Sequence, residues 1–100
     1  MPIIDGNSKN IPTEGVVLVD FWAPWCGPCK MLSPNLEQLS KEREELNIIK
    51  ISVDQNPKDA ADFNVMSVPT LILIKDGIEI NRKTGVLDVE GLKGFIDITK

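Results

Sequence analysis

Apolar and polar positions change rhythm several times along the chain, and each rhythm predicts an element. Val16-Val17-Leu18-Val19-Asp20-Phe21 is a continuous β-branched apolar run that suits a central strand covered on both faces. Leu32, Leu36, Leu39 and Leu46 then follow at helical spacing, with Pro28 near the start, and predict a helix from about Cys26 or Gly27 to Leu46. Pro34 falls inside that helix and should kink it. Ile49, Ile51 and Val53 alternate, so Asn47–Val53 reads as a second strand. Asn56-Pro57 resembles an N-cap followed by proline at the first helical position, opening a short helix to about Asn64. Thr70–Lys75 and Ile78–Lys83 are strands joined by Asp76-Gly77, a strong two-residue hairpin signal. Asp88 can cap a last helix whose apolar face is Val89, Leu92, Phe95 and Ile96, weakened by Gly91 and Gly94. A βαβ crossover followed by a hairpin and a helix predicts an α/β fold, a central mixed β-sheet flanked by helices on both faces. Residues 5–15 give no clear element.

Composition narrows the class. One hundred residues, 42% of them hydrophobic, suit a single domain over 1–100 with its own core, and exclude disorder. Aliphatic runs such as Leu71-Ile72-Leu73-Ile74 are far short of the ~20 residues a membrane helix needs. The amino end has no basic region followed by an apolar stretch, so no secretory signal and a cytoplasmic location are expected. The net charge of −4 is spread over both halves without a basic patch, which disfavours nucleic acid as a partner. The chain contains no histidine, which excludes Ser-His-Asp and Cys-His catalysis and His-ligated metals. Its two cysteines are too few for a disulfide framework, and both lie in one Cys-x-x-Cys.

That motif carries the chemistry. In Trp25-Cys26-Gly27-Pro28-Cys29 the two thiols are spaced i, i+3 at a strand-to-helix junction, on one helical face and close enough to bridge. A cysteine at a helix N-terminus meets unpaired backbone N–H groups and the positive end of the dipole, which favours thiolate. Cys26 is expected to be the outer, attacking thiol and Cys29 the resolving one. Two other readings stand beside redox exchange. A structural zinc usually wants four Cys or His ligands, so a metal site would need a second subunit. The cysteines could also be inert.

Val19-Asp20-Phe21-Trp22-Ala23-Pro24-Trp25-Cys26-Gly27-Pro28-Cys29-Lys30, with Pro34 after it, closely resembles the thioredoxin family. The resemblance continues through Val53-Asp54-Gln55-Asn56-Pro57, Val68-Pro69-Thr70-Leu71, Asp76-Gly77 and Gly85, spanning about residues 16–98. It implies the thioredoxin fold and a dithiol carrier that reduces protein disulfides through a reversible Cys26–Cys29 disulfide. The implied partners are disulfide-containing substrate proteins and a thioredoxin reductase that recharges the pair. No bound cofactor or metal is implied, and a monomer is expected.

The same resemblance makes Asp20 the buried carboxylate that exchanges a proton with Cys29, and pairs the Lys50 ammonium with Asp20. It makes Pro69 a cis-proline facing the disulfide. It groups Trp25, Val68, Pro69 and Gly85, with Gly27 and Pro28, into the surface that receives substrate. Plainer readings are a strand-end carboxylate in water for Asp20, an edge lysine for Lys50, a turn for Pro69, and a simple cover over the site for Trp25. Met31 and Met66 read as packing residues, and Lys30 as a solvated charge. The rival from another class is a binding module of this fold that holds a partner without turnover, for which two thiols are unnecessary. One departure stands out: family members normally carry a first strand and a full first helix ahead of the central strand. Here that region, about residues 1–15, is short and holds Gly6, Pro12 and Gly15, so the helix is expected to be reduced or absent.

Overall fold

A computed structural model describes residues 3–99. Its strands are β1 (Ile4–Gly6), β2 (Val16–Trp22), β3 (Asn47–Ser52), β4 (Thr70–Lys75) and β5 (Ile78–Thr84). They form one sheet in the order β1-β3-β2-β4-β5, with β1, β3 and β2 parallel and β4 and β5 antiparallel to their neighbours. The helices are α1 (Gly27–Glu42), α2 (Pro57–Asp62) and α3 (Val89–Ile96). This is the expected mixed sheet, and its two faces bury two separate cores.

Alternation along the strands decides which residue enters which core. Leu18, Ile48, Leu71 and Leu73 pack against Leu32, Leu36 and Leu39 of α1 and Leu92, Phe95 and Ile96 of α3. Their neighbours Val17, Val19, Phe21, Ile49, Ile51, Ile72 and Ile74 point the other way, toward Ala60 of α2 and the Phe63 and Val65 that follow it. The strand β2 is therefore covered on both faces, which accounts for its unbroken apolar run.

The hairpin is as expected. Asp76 and Gly77 both have positive φ, 51° and 82°, the backbone of a type I′ turn. At the β5 edge, Leu73 faces Asn81 but Ile74 faces Glu79, so Ile80 is the extra residue of a β-bulge. Asp88 caps α3 by accepting from the Gly91 N–H at 2.8 Å.

Three expectations need correction. The helix α1 ends at Glu42, four residues before Leu46, because Arg43 leaves helical geometry at φ −128°, ψ 70°. Glu42, Glu44 and Glu45 crowd the negative end of the helix dipole, which disfavours further turns. Leu46 still reaches the core, from the turn. Asn56 stands at the N-cap of α2, but its side chain makes no cap bond and donates to the Ser52 carbonyl instead. That helix ends at Asp62, and Asn64, with φ 55°, turns the chain away.

The region before β2 holds a three-residue strand and, in place of a full helix, one 3₁₀ turn over Ser8–Asn10. Asn7 and Asn10 close a capping box around it, and a side chain on Gly6 would collide with the Asn10 side-chain oxygen. Ser8 donates from both its N–H and its hydroxyl to the Asp59 carboxylate, each at 2.8 Å, which fastens the segment to α2. Among the described residues no helix is long and apolar enough to cross a membrane.

Candidate active site

The strand β2 delivers the chain to its C-terminal edge, where Ala23-Pro24-Trp25 turns it into α1. Cys26 is the N-cap of that helix, and its sulfur accepts from the Cys29 N–H at 3.1 Å. Gly27 and Pro28 are the first two helical residues, positions whose N–H groups have no helical acceptor, so proline costs nothing there. Cys26 and Cys29 are joined as a disulfide with Cα atoms 5.3 Å apart. Both residues are 4% exposed, so accessibility does not separate an outer from an inner thiol, contrary to expectation. Position separates them. The Cys26 sulfur lies 3.7 Å from the Val68 carbonyl oxygen, whereas Cys29 lines a cavity of about 80 Å³ with Trp22, Ser33, Lys50 and the exposed Lys30.

The disulfide packs with Ala23, and Trp22, Val53 and Val68 lie against it. Trp25 is 68% exposed and its indole N–H donates to both oxygens of Asp54, at 3.1 and 3.2 Å. A groove of about 230 Å³ opens between Trp25 and Val68, lined also by Val53, Ala60, Val65 and Met66. The Val68–Pro69 bond is cis and Pro69 is buried. Gly85 does not line the groove; its N–H donates to the Pro69 carbonyl at 3.0 Å, with φ at +94°, a conformation that glycine adopts without strain. Gly27 and Pro28 are exposed at the helix start. Met31 and Met66 are exposed, Met66 at 93%, and so do not serve the core as expected.

Asp20 stands two residues from Leu18 on β2 and so faces α1. It is 1% exposed, and neither carboxylate oxygen has a hydrogen-bond partner. Burial pushes its carboxyl from 3.8 up to about 7, against the opposing charge of Lys50 and with the added repulsion of Asp5. Lys50 occupies the register position beside Asp20 on β3, which is an interior strand and not an edge. Its ammonium donates to Ser33, one helical turn after Cys29, at 2.8 Å, and sits 4.9 Å from the Trp22 ring centroid. Lys50 therefore acts on Asp20 through its charge, without a hydrogen bond. Sequence reasoning did not single out Ser33, Val65 or Asp54; only the resemblance touched Asp54, and no spacing ties it to Trp25.

The arrangement can exchange a disulfide: two sulfurs at a helix N-terminus, an apolar groove by Trp25 and Val68, and a buried carboxyl on the sheet face that α1 covers. Among the described residues no group of three Cys, His, Asp or Glu side chains could hold a metal ion.

A family model described as Thioredoxin matches residues 7–98. A thioredoxin of Bacillus subtilis (strain 168) is 49% identical over 86 residues, covering 85% of this chain and 83% of that protein. One from Staphylococcus saprophyticus is 47% identical over 96 residues, covering 95% and 92%. The X-ray structure of Fasciola hepatica thioredoxin superposes with a TM-score of 0.81 at 40% identity, covering 88% of this chain and 85% of that one. Matched over nearly its whole length, the chain belongs to the thioredoxin family, and its Cys26–Cys29 pair makes it a dithiol thiol–disulfide oxidoreductase.

Proposed function

We propose that this oxidoreductase reduces protein disulfides with Cys26 as nucleophile and Cys29 as resolving thiol. The observation that carries the assignment is Cys26 at the N-cap of α1, its sulfur accepting the Cys29 N–H. After reduction the same N–H and the helix dipole favour a thiolate on Cys26. That thiolate attacks one sulfur of the substrate disulfide, forming a mixed disulfide and releasing the first substrate thiolate. Asp20 takes the proton of Cys29, whose thiolate attacks the Cys26 sulfur and expels the second substrate thiolate. Two electrons pass to the substrate, and the Cys26–Cys29 disulfide is regenerated. Lys50 holds a positive charge beside Asp20 while that proton moves.

The groove between Trp25 and Val68, with Pro69 and Gly85 fixing its wall, receives the substrate backbone together with the exposed Gly27 and Pro28 of the helix start. A thioredoxin reductase returns the two electrons, and exchange itself needs no bound cofactor or metal. The protein works as a single-domain monomer in the cytoplasm.

Dithiothreitol-driven insulin reduction tests the reading. Wild type should turn over, Cys26→Ser should not, and Cys29→Ser should accumulate a mixed disulfide. In the reduced protein iodoacetamide should label Cys26 well ahead of Cys29 at neutral pH; the opposite order would exchange their roles. Binding of insulin without reduction would leave only a binding module.

A further inference from the structure

Strand register holds Lys50 between two carboxylates. Asp5 of β1 stands opposite Lys50, and Lys50 stands opposite Asp20 of β2, so the three side chains leave one face of the sheet in a row. Neighbouring strands lie about 4.8 Å apart, which puts Asp5 roughly 10 Å from Asp20 with the lysine strand between them. The ends of the row differ. Asp5 is exposed on the edge strand and lines two open cavities, of about 360 and 460 Å³, both of which reach Lys50. Asp20 is buried with both oxygens unpartnered. Lys50 is hydrogen-bonded to neither carboxylate but to Ser33, so its charge is available to both.

We propose that Asp5 is a positioning residue for Asp20: from the solvent end of the row it draws on the charge of Lys50 and opposes ionisation of the buried carboxyl. The proposal deepens the reading of Asp20 as the group that exchanges a proton with Cys29, and rests on it for its use in turnover. Electrostatics have the sign it requires, since Lys50 favours the Asp20 carboxylate and Asp5 disfavours it. Other charged groups near the row are Glu37 and Lys41 of α1, which line the first cavity, and the exposed Lys30, which lines the small cavity beside Cys29 and Lys50. Glu37 and Lys41 are exposed, opposite in sign and one turn apart, and the charged groups acting on Asp20 are Lys50 and Asp5. From β4 the register partner of Asp20 is the apolar Leu71.

The test is a carbon-detected NMR titration of the Asp20 carboxyl in the oxidised protein, in wild type, Asp5→Asn and Asp5→Glu. Asp5→Asn should lower the Asp20 midpoint by roughly half a pH unit at low ionic strength, and Asp5→Glu should restore most of it. Because Asp5 is exposed, the difference should shrink in 0.5 M salt, where the Debye length falls to about 4 Å. An unchanged midpoint in Asp5→Asn overturns the proposal. So does an equal shift in Asp5→Glu, which would trace the effect to β1 pairing and not to charge. The pH profile of insulin reduction by the same variants judges the other reading separately. A midpoint that moves while the rate profile stays fixed leaves Asp5 tuning Asp20 and removes Asp20 from the proton step.

Discussion

A carboxyl titrating at about 7 inside an apolar strand couples function to stability at one residue. Between pH 3.8 and about 7 the folded protein keeps a proton on Asp20 that the unfolded chain has already released. The native state binds more protons in that window, so stability falls as pH rises through it, and the whole cost is present above pH 7. A shift of about three units at 1.36 kcal/mol each corresponds to a cost on the order of 4 kcal/mol. Asp20→Ala removes the charge from the core and leaves only a small cavity. It should be a few kcal/mol more stable than wild type at pH 8, and the advantage should fade as pH drops from 7 toward 4. Urea unfolding at pH 4, 6 and 8 checks this; an advantage that is flat across pH would mean that Asp20 does not titrate there. In stopped-flow insulin reduction the same variant should release its mixed disulfide more slowly, because Cys29 has lost its base.

At the scale of elements, the segment before β2 keeps its place through the two bonds from Ser8 to Asp59. Asp59→Ala breaks both, at a cost of about 1–2 kcal/mol for partly buried bonds to a charged acceptor. Amide exchange in Ile4–Gly6 should quicken, while exchange in β4 keeps its wild-type protection; uniform acceleration would mean that the segment does not open independently. This attachment was illegible in the sequence because its partners lie 51 positions apart and neither belongs to a periodic pattern. Elements whose rhythm is set by burial were legible: β2, β4 and the hairpin follow from β-branched runs and from Asp76-Gly77. The end of α1 was not, because Leu46 continues the helical spacing yet packs from a turn. The cysteine pair was legible from spacing alone, and Asp20 stood out as a lone charge in an apolar run. Lys50 beside it could not be derived from the chain, since strand register arises only when the sheet assembles. The same holds for Asp54, brought to Trp25 by a loop.

Across the whole molecule, the site and the bulk of the stabilising core lie at different places along α1. Cys26 caps its first turn, whereas Leu39 lies thirteen residues later, about 20 Å along the axis at 1.5 Å per residue. Leu39 is fully buried against the sheet in the core that also holds Leu18 and Leu36. Truncating it to alanine removes apolar contacts and leaves a cavity, at a cost of about 2–5 kcal/mol. A 100-residue domain typically has about 5–15 kcal/mol to lose, so Leu39→Ala should stay largely folded at 25 °C. Its urea midpoint should drop well below wild type while insulin reduction per folded molecule stays within about twofold, because the groove, the disulfide and Asp20 keep their supports at the other end of the helix. A sharp loss of rate in a sample that circular dichroism shows to be folded would mean that α1 transmits packing changes along its length, and that stability and exchange are not separable in this fold.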